Sequence, residues 1–573
     1  VSDGFSGSWR SIGSTLMERG NRRVVDRRGF LGAGVAALTL GMGRTTWAAA
    51  RNDEPLDLVI SGGKVVDGTG APWFLGDVGI QGDRIAAVGR LGGWPARRTL
   101  KADGLHVAPG FIDMMGQTGA PFLKSPRAGD NLLTQGITTI NAGEGDSDAP
   151  LDGAEAREAG WSTMAEFFDR LDAAKMPMNV AQSIGHTQVR KIVLGQTDRE
   201  ASPDELERMK SLVREAMEAG AVGVSTALIY PPAVYAPTEE IVALAAVAGE
   251  YGGGYFTHMR NEGDRLLEAI DEALAIGEKA NTRVHIFHLK AAGRANWPKM
   301  DQAIARIKAA RAAGRPVGAD VYPYVNNGLG IAAFVHPSHA AEGPEALKAK
   351  LSDPAARAVI RREMETLGGW ENWFRHIGSD WDNVVLGQIK APGYAGQNGR
   401  SLGEIARAAG KDPWDLFFEV AAAGASALPR TMSEANLIKA MRQDFVCFCT
   451  DMGPAGTASA LVHPRGAGAF PRILGRFVRE LGALSVERAV ARMTAVAANE
   501  LTLFDRGRIA PGAAADLVAF DLDRVNDRST FAEPGLAAEG IAHVLVNGQS
   551  VIEEGRITDA GPGRVLRRGG FRK

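Results

Sequence analysis

The chain has 573 residues, of which 45% are hydrophobic and 23% charged, with a formal net charge of -2. This is the composition of an ordinary globular protein, and so balanced a charge gives no electrostatic reason to bind nucleic acid. The length is enough for one large barrel plus a smaller domain.

The first fifty residues read as an address. Residues 1–25 look unstructured, and Met17 is an alternative start. Asp26-Arg-Arg-Gly-Phe-Leu31 is followed by an apolar run to Met42 and by Thr46-Trp-Ala-Ala-Ala50, whose small residues suit cleavage. A charged start, a short apolar core and an Ala-rich end make a signal peptide. The paired arginines before Phe-Leu resemble a twin-arginine export signal, although Asp26 and Gly32 depart from the usual pattern. The expectation is a periplasmic or secreted protein; a general secretion signal and an uncleaved tether are the alternatives. No other run reaches membrane-spanning length.

From residue 51 to 108 the chain is strand-rich, with short apolar runs around Gly62-Gly63 and Gly82-Asp83. The same texture returns at 501–573, with strands at 515–521 and 543–552 around Asn547-Gly548. Two β-rich ends flanking a long middle predict a small β-sandwich built from both termini. The middle, 109–500, alternates strand and helix. Strands are predicted at 107–112, 137–142, 179–184, 222–226, 254–258, 284–288, 317–322 and 445–450. Helices are predicted at 161–175, 203–219, 238–252, 262–280, 298–314, 401–409, 413–423, 434–442 and 486–496. The fold class is α/β, and eight strands with intervening helices fit a (β/α)8 TIM-like barrel better than an open sheet. The stretch 325–400 breaks the rhythm and reads as an inserted lid subdomain. The only cysteines form Cys447-Phe-Cys449. In a strand both side chains would point to one face, a poor geometry for a disulfide, so they are read as strand core.

The stretch Gly254–Lys290 is the most informative. Gly254-Tyr-Phe-Thr-His258 and Arg283-Val-His-Ile-Phe-His288 are two β-rich runs ending in histidine. Between them Leu266, Leu267, Ile270, Leu274 and Ile276 repeat at helical spacing. A strand–helix–strand unit puts both histidines at the carboxyl ends of neighbouring parallel strands, where α/β barrels build active sites. Two imidazoles in one cleft suit a divalent metal such as zinc; two satisfied core histidines are the competing reading.

With these elements in place the chain resembles the amidohydrolase superfamily, and more closely its D-aminoacylase branch, from about Leu56 to Gly561. The motifs that carry the likeness include Ala108-Pro-Gly-Phe-Ile-Asp113, Gly223-Val-Ser-Thr-Ala-Leu-Ile-Tyr-Pro-Pro232 and Thr257-His258-Met-Arg260. Others are His288-Leu-Lys290, Asp320-Val-Tyr-Pro-Tyr324, Thr450-Asp451 and His463-Pro-Arg465. The resemblance implies that His258 and His288 ligate a metal and that Asp451 is the catalytic acid–base carboxylate. It further implies that Arg465 holds a carboxylate of the substrate, and that Lys290 and a tyrosine of the Tyr322/Tyr324 pair contact substrate. Each role has a physical reason. A bound Zn²⁺ lowers the pKa of water to about 7 and polarises a carbonyl. A carboxylate beside that water can take a proton and return it to the leaving amine. A guanidinium can hold a carboxylate through two parallel hydrogen bonds.

Two departures from the family pattern matter. Where amidohydrolases carry His-x-His after the first strand, this chain has Met115-Gly-Gln117, a poor and a weak zinc donor. Where D-aminoacylases place a metal-bound cysteine after the second strand, it has Glu144, with Asp146 as the fallback. The site is therefore expected to hold one Zn²⁺ on His258, His288 and Glu144. His186, in Gly185-His-Thr, reads as the floor of the pocket or a group behind the ligands, and His463 as a residue that orients Arg465 or its loop. The implied reaction is hydrolysis of the amide of an N-acyl-D-amino acid, a small-molecule substrate with a carboxylate. Two other readings stay open: hydrolysis of another amide, cyclic amide or lactone, and a non-catalytic exported binding protein that has lost its metal.

Overall fold

The computed structural model describes residues 54–568. The paired arginines, the apolar run and the Ala-rich stretch lie outside the described residues. Among the described residues no helix is long and apolar enough to cross a membrane.

Eight parallel strands surround the centre. They are Phe111–Asp113, Ile137–Ala142, Asn179–Gln182 with its continuation Ile184–Gly185, Gly223–Ala227, Gly254–His258, Arg283–Ile286, Val317–Val321 and Val446–Phe448. The first three pair in order, and the run from Ile184–Gly185 to Val446–Phe448 pairs in order as well. The two arcs share the third strand, which breaks only at Ser183. They meet again where Met114 N–H donates to the Phe448 carbonyl at 3.2 Å. The wholly buried Asp113 reinforces that seam. Its carboxylate accepts from Thr450 N–H at 2.9 Å, Thr450 Oγ1–H at 2.5 Å and Met115 N–H at 3.1 Å. These strands are buried along almost their whole length because helices cover one face and the barrel interior fills the other. Local signals agree. Ser202 and Glu205 form a capping box that starts the helix Pro203–Ala219, and Gly220, at φ 108°, ends it.

One expected strand proves to be two. Residues 107–112 divide at Gly110: His106–Pro109 joins the terminal sheet and Phe111–Asp113 the barrel. Gly110 sits so close to Thr138 that a Cβ there would lie 2.2 Å from its Oγ1. The β-rich ends pair into one nine-stranded sheet. Leu517–Phe520 from the far end joins His106–Pro109 from the near end, and that strand joins Leu58–Val65. Their core is Leu58, Ile60, Val78, Ile85, Leu517 and Leu545.

The insertion is larger than the sequence suggested. Helices Leu402–Ala409 and Pro413–Ala423 pack into it and not onto the barrel, and Ser426–Pro429 is the central strand of its own small antiparallel sheet. Its core is separate and aromatic, built on Phe334, Trp373, Trp381, Trp414 and Phe417. Cys447 and Cys449 are free and buried, as expected.

Candidate active site

Glu144, His258 and His288 come together at the carboxyl ends of the second, fifth and sixth barrel strands. Gly143 and Gly145 flank Glu144 at φ 94° and 73°, so the loop can fold back over the strand ends. Glu144 Oε1 lies 2.9 Å from His258 Nδ1 and 3.2 Å from His288 Nε2. Ligands held at about 2 Å around a tetrahedral ion stand about 3.3 Å apart, so this spacing fits a zinc-sized cation. The donor set, two imidazoles and a carboxylate, suits zinc as well.

The distal ring nitrogens face Glu262, which is wholly buried. Its Oε1 is 3.0 Å from His288 Nδ1, and its Oε2 is 3.6 Å from His258 Nε2. Lys290 Nζ donates to Glu262 Oε1 at 2.6 Å and lies 2.6 Å from His288 Nδ1. A carboxylate behind metal-binding histidines fixes their rings and raises their basicity. Asp320 plays a matching part for the backbone: its Oδ1 accepts His288 N–H at 2.7 Å, and its Oδ2 is 2.9 Å from His285 Nε2.

Electrostatics follow from burial and these contacts. Burial alone would raise Glu144, but hydrogen bonds from His258 and His288 hold its carboxyl well below the usual carboxylate range. Burial and Lys290 pull His288 down, yet Glu262 and Glu144 outweigh them and push it up to about 9. Asp451 is raised, chiefly by burial and against the opposing pull of Arg465. An up-shifted carboxyl in a cleft is a candidate for proton exchange.

Asp451 follows the eighth strand. Its Oδ1 accepts from Gln117 Nε2 at 2.8 Å, and its Oδ2 is 2.7 Å from Arg465 Nη1. The same Gln117 nitrogen donates to Glu144 Oε2 at 2.7 Å. The Arg465–Asp451 pair is close but poorly aligned. Arg465 Nη1 and Nε, both buried, have no hydrogen-bond acceptor. The Arg465 guanidinium lies 4.5 Å from the centre of the Tyr322 ring, and Lys290 Nζ is 5.8 Å from the same centre. Three residues of this cluster, Gln117, His288 and Asp451, have left-handed backbones at φ 62°, 35° and 52°. Such conformations are uncommon away from glycine and gather where function over-determines the backbone.

The other expected residues are placed as follows. His463 orients the Arg465 turn: its Nδ1 accepts Arg465 N–H at 3.0 Å, and its Nε2 is 3.1 Å from the Asn326 carbonyl. Tyr324 is a correction. Its hydroxyl is 3.1 Å from Asp527 Oδ2 and 3.4 Å from the Pro464 carbonyl, so it braces the helix that follows Arg465 and does not join the cluster. The fallback ligand Asp146 pairs instead with Lys191 at 2.8 Å, near solvent. His186 pairs with Glu240 at 2.7 Å behind the barrel wall. Met115 is buried in the barrel core. Sequence reasoning missed Glu262 and the part played by Gln117. The one local signal for Glu262 was its place four residues after His258.

A cavity of about 860 Å³ lies between the barrel loops and the insertion, lined by Tyr230, Arg260, Arg265, Ala333, Trp370 and Trp373 among others. The three donors do not line it. Tyr230 is the shared wall, with its ring centre 5.7 Å from that of His258. The insertion also touches the site directly, because Glu371 Oε2 accepts the backbone N–H of Glu262 at 2.8 Å.

Residues 374–552 match the Amidohydrolase family. An N-acyl-D-glutamate deacylase of Alcaligenes xylosoxydans xylosoxydans is 37% identical over 90% of this chain and 97% of its own. A D-aminoacylase of the same organism is 33% identical over 90% and 99%. The crystal structure of the N-acyl-D-glutamate deacylase of Bordetella bronchiseptica, complexed with zinc and a phosphonate that mimics the tetrahedral intermediate, superposes with a TM-score of 0.76. It is 34% identical and covers 90% of this chain and 100% of that one. With so much of both chains aligned and the donors gathered at the strand ends, the protein belongs to the amidohydrolase family, in the branch of the D-aminoacylases.

Proposed function

We propose that this protein is a zinc-dependent hydrolase of N-acyl-D-amino acids, cleaving an amide that is not a peptide bond, with one metal ion per site. The observation that carries this reading is the juxtaposition of the Glu144–His258–His288 donor set with Asp451, whose carboxylate is tied to the same Glu144 through Gln117. A divalent cation held by those three donors would polarise the scissile carbonyl and make water a usable nucleophile. Asp451 accepts the proton that the attacking water gives up and passes it to the nitrogen of the leaving amine. Arg465 takes the substrate's α-carboxylate. Its buried Nε has no acceptor and its Nη1 only the poorly aligned Asp451, so the guanidinium has donors free for a carboxylate. Tyr322 supports the guanidinium from below, and Lys290 keeps Glu262 ionised behind both histidines. The cavity beyond Tyr230 gives the insertion a surface on which to select the variable part of the substrate.

The test is amine release from N-acetyl-D- and N-acetyl-L-amino acids, with D-glutamate and D-aspartate derivatives included, before and after a chelator. Release from the D series alone, lost on chelation and restored by zinc, is expected. Undiminished release after all transition metal is stripped would refute the mechanism. Opening of a cyclic amide without release from any N-acyl amino acid would refute the substrate class. The twin-arginine-like motif supports export of the folded protein, which cell fractionation with and without Arg27 and Arg28 tests.

A further inference from the structure

We propose that Gln117 is a positioning residue that locks Asp451 to the metal-binding carboxylate Glu144, and that it fills the place between them where a second cation would otherwise bind. This rests on the functional reading above for its effect on turnover, but not for its effect on metal binding.

Glu144 Oε2 and Asp451 Oδ1 face a common point, and two carboxylate oxygens so placed repel unless something electropositive stands between them. The Gln117 amide nitrogen stands there, 2.7 Å from one and 2.8 Å from the other. A primary amide has two N–H bonds, one for each oxygen. The opposite orientation of the amide would set its oxygen against both carboxylates, so the network fixes which end points inward. The amide nitrogen donates and does not ligate, because its lone pair is delocalised into the carbonyl. It therefore meets the same electrostatic need as a bridging cation while leaving no room for one.

The backbone is built for this. Gln117 is left-handed at φ 62°. Its carbonyl accepts Gly143 N–H at 2.8 Å, which ties it to the loop that carries Glu144. On its other side Thr118 Oγ1 donates to Asp148 Oδ1 at 2.6 Å, and Gly119 N–H donates to Asp148 Oδ2 at 2.8 Å. The strained residue is thus held from both sides, and its side chain spans two loops that share no other bond to Asp451 Oδ1.

Metal content after equilibrium dialysis against excess zinc or cadmium gives the first readout, and kcat and KM give the second. The wild-type protein should hold one equivalent even at high metal concentration. Gln117→Glu keeps the shape, loses both donors and adds a ligand, so it should take up a second equivalent. Gln117→Ala, assayed with a single equivalent of zinc so that the vacated point stays empty, should keep wild-type KM while kcat falls about tenfold to a hundredfold, the usual cost of losing a group that orients a metal site. Thermal unfolding of each variant checks that it is folded. A wild-type protein with two tightly held equivalents, a folded Gln117→Glu that stays at one, or Gln117→Ala with wild-type kcat would each overturn the proposal. If no N-acyl amino acid is hydrolysed, the functional reading fails while the two metal counts still decide this one.

Discussion

Glu262 offers the sharpest test of how the site is held together. It is wholly buried, holds Lys290 Nζ at 2.6 Å and His288 Nδ1 at 3.0 Å, and stands 3.6 Å from His258 Nε2, just beyond hydrogen-bond reach. Glu262→Gln preserves its volume but removes its charge. Two costs follow. The histidines lose the carboxylate behind them, which weakens metal binding by about tenfold to a hundredfold, or about 1.4–2.7 kcal/mol. Lys290, only 2% exposed, keeps an ammonium with no counter-charge. Breaking a buried pair in this way costs about 3–5 kcal/mol of folding stability, less whatever Lys290 recovers by giving up its proton. The double variant Glu262→Gln/Lys290→Met removes the stranded charge. It should regain most of the stability and none of the metal affinity, so the two effects separate. Zinc affinity is read by competition with a chromophoric chelator, and stability by denaturant unfolding of the metal-free protein. A single Gln variant that binds zinc within threefold of wild type and unfolds at the same midpoint would refute the assignment of Glu262 as the group behind the ligands.

Other expectations are more direct. Asp451→Asn should retain fold and metal but lose about 10²–10⁴ in kcat, the usual share of general acid–base catalysis, as measured by amine release. Glu144→Ala should purify without metal, read by elemental analysis; a fully loaded variant would make Glu144 a bystander. Zinc affinity should strengthen as pH rises toward about 9, because His288 must shed a proton to ligate; pH-resolved chelator competition reads this. Burial raises Asp113 to about 7. Between an unfolded value of about 3.9 and that value the folded state binds the extra proton, so stability falls as pH rises through the window, by at most about 4 kcal/mol. Asp113→Asn should remove that slope in unfolding midpoints taken from pH 4.5 to 7.5.

Features that depend on local pattern were legible in the sequence. Apolar runs ending in His258 and His288, with a helical repeat between them, gave the strand ends and two of the three donors. Glu144 was legible by its place after the second strand, and Cys447 and Cys449 by their β-rich setting. Features that depend on what meets what were not. The division at Gly110 is a choice between two sheets that an unbroken apolar run cannot express. The amphipathic faces of 402–409 and 413–423 look the same whether they cover the barrel or the aromatic core of the insertion. Tyr322 and Tyr324 are two residues apart around a proline, and only the packing of Asp527 and Arg472 decides which one faces Arg465. The helix His186–Leu194 was not among those predicted, and its buried face packs against the neighbouring strand and helix. Gln117 looked like a lost ligand, since a lone amide advertises nothing until two carboxylates are found on either side of it.

The charges in the cleft explain why these parts belong together. Glu144, Glu262 and Asp451 bring three negative groups into one buried space, and Lys290 and Arg465 bring two positive ones. A buried surplus of one negative charge is unfavourable, and the protein has two ways to cancel it. One is a proton on His288, which is why that ring is pushed up to about 9. The other is a divalent cation on the same nitrogen, which must displace the proton to bind. Gln117 supplies hydrogen-bond donors without charge at the neighbouring point, so one divalent cation leaves the cleft with a single positive charge, where a second would leave three. Beside Asp451, Arg465 keeps buried donors without acceptors, the feature on which its proposed role toward a substrate carboxylate rests.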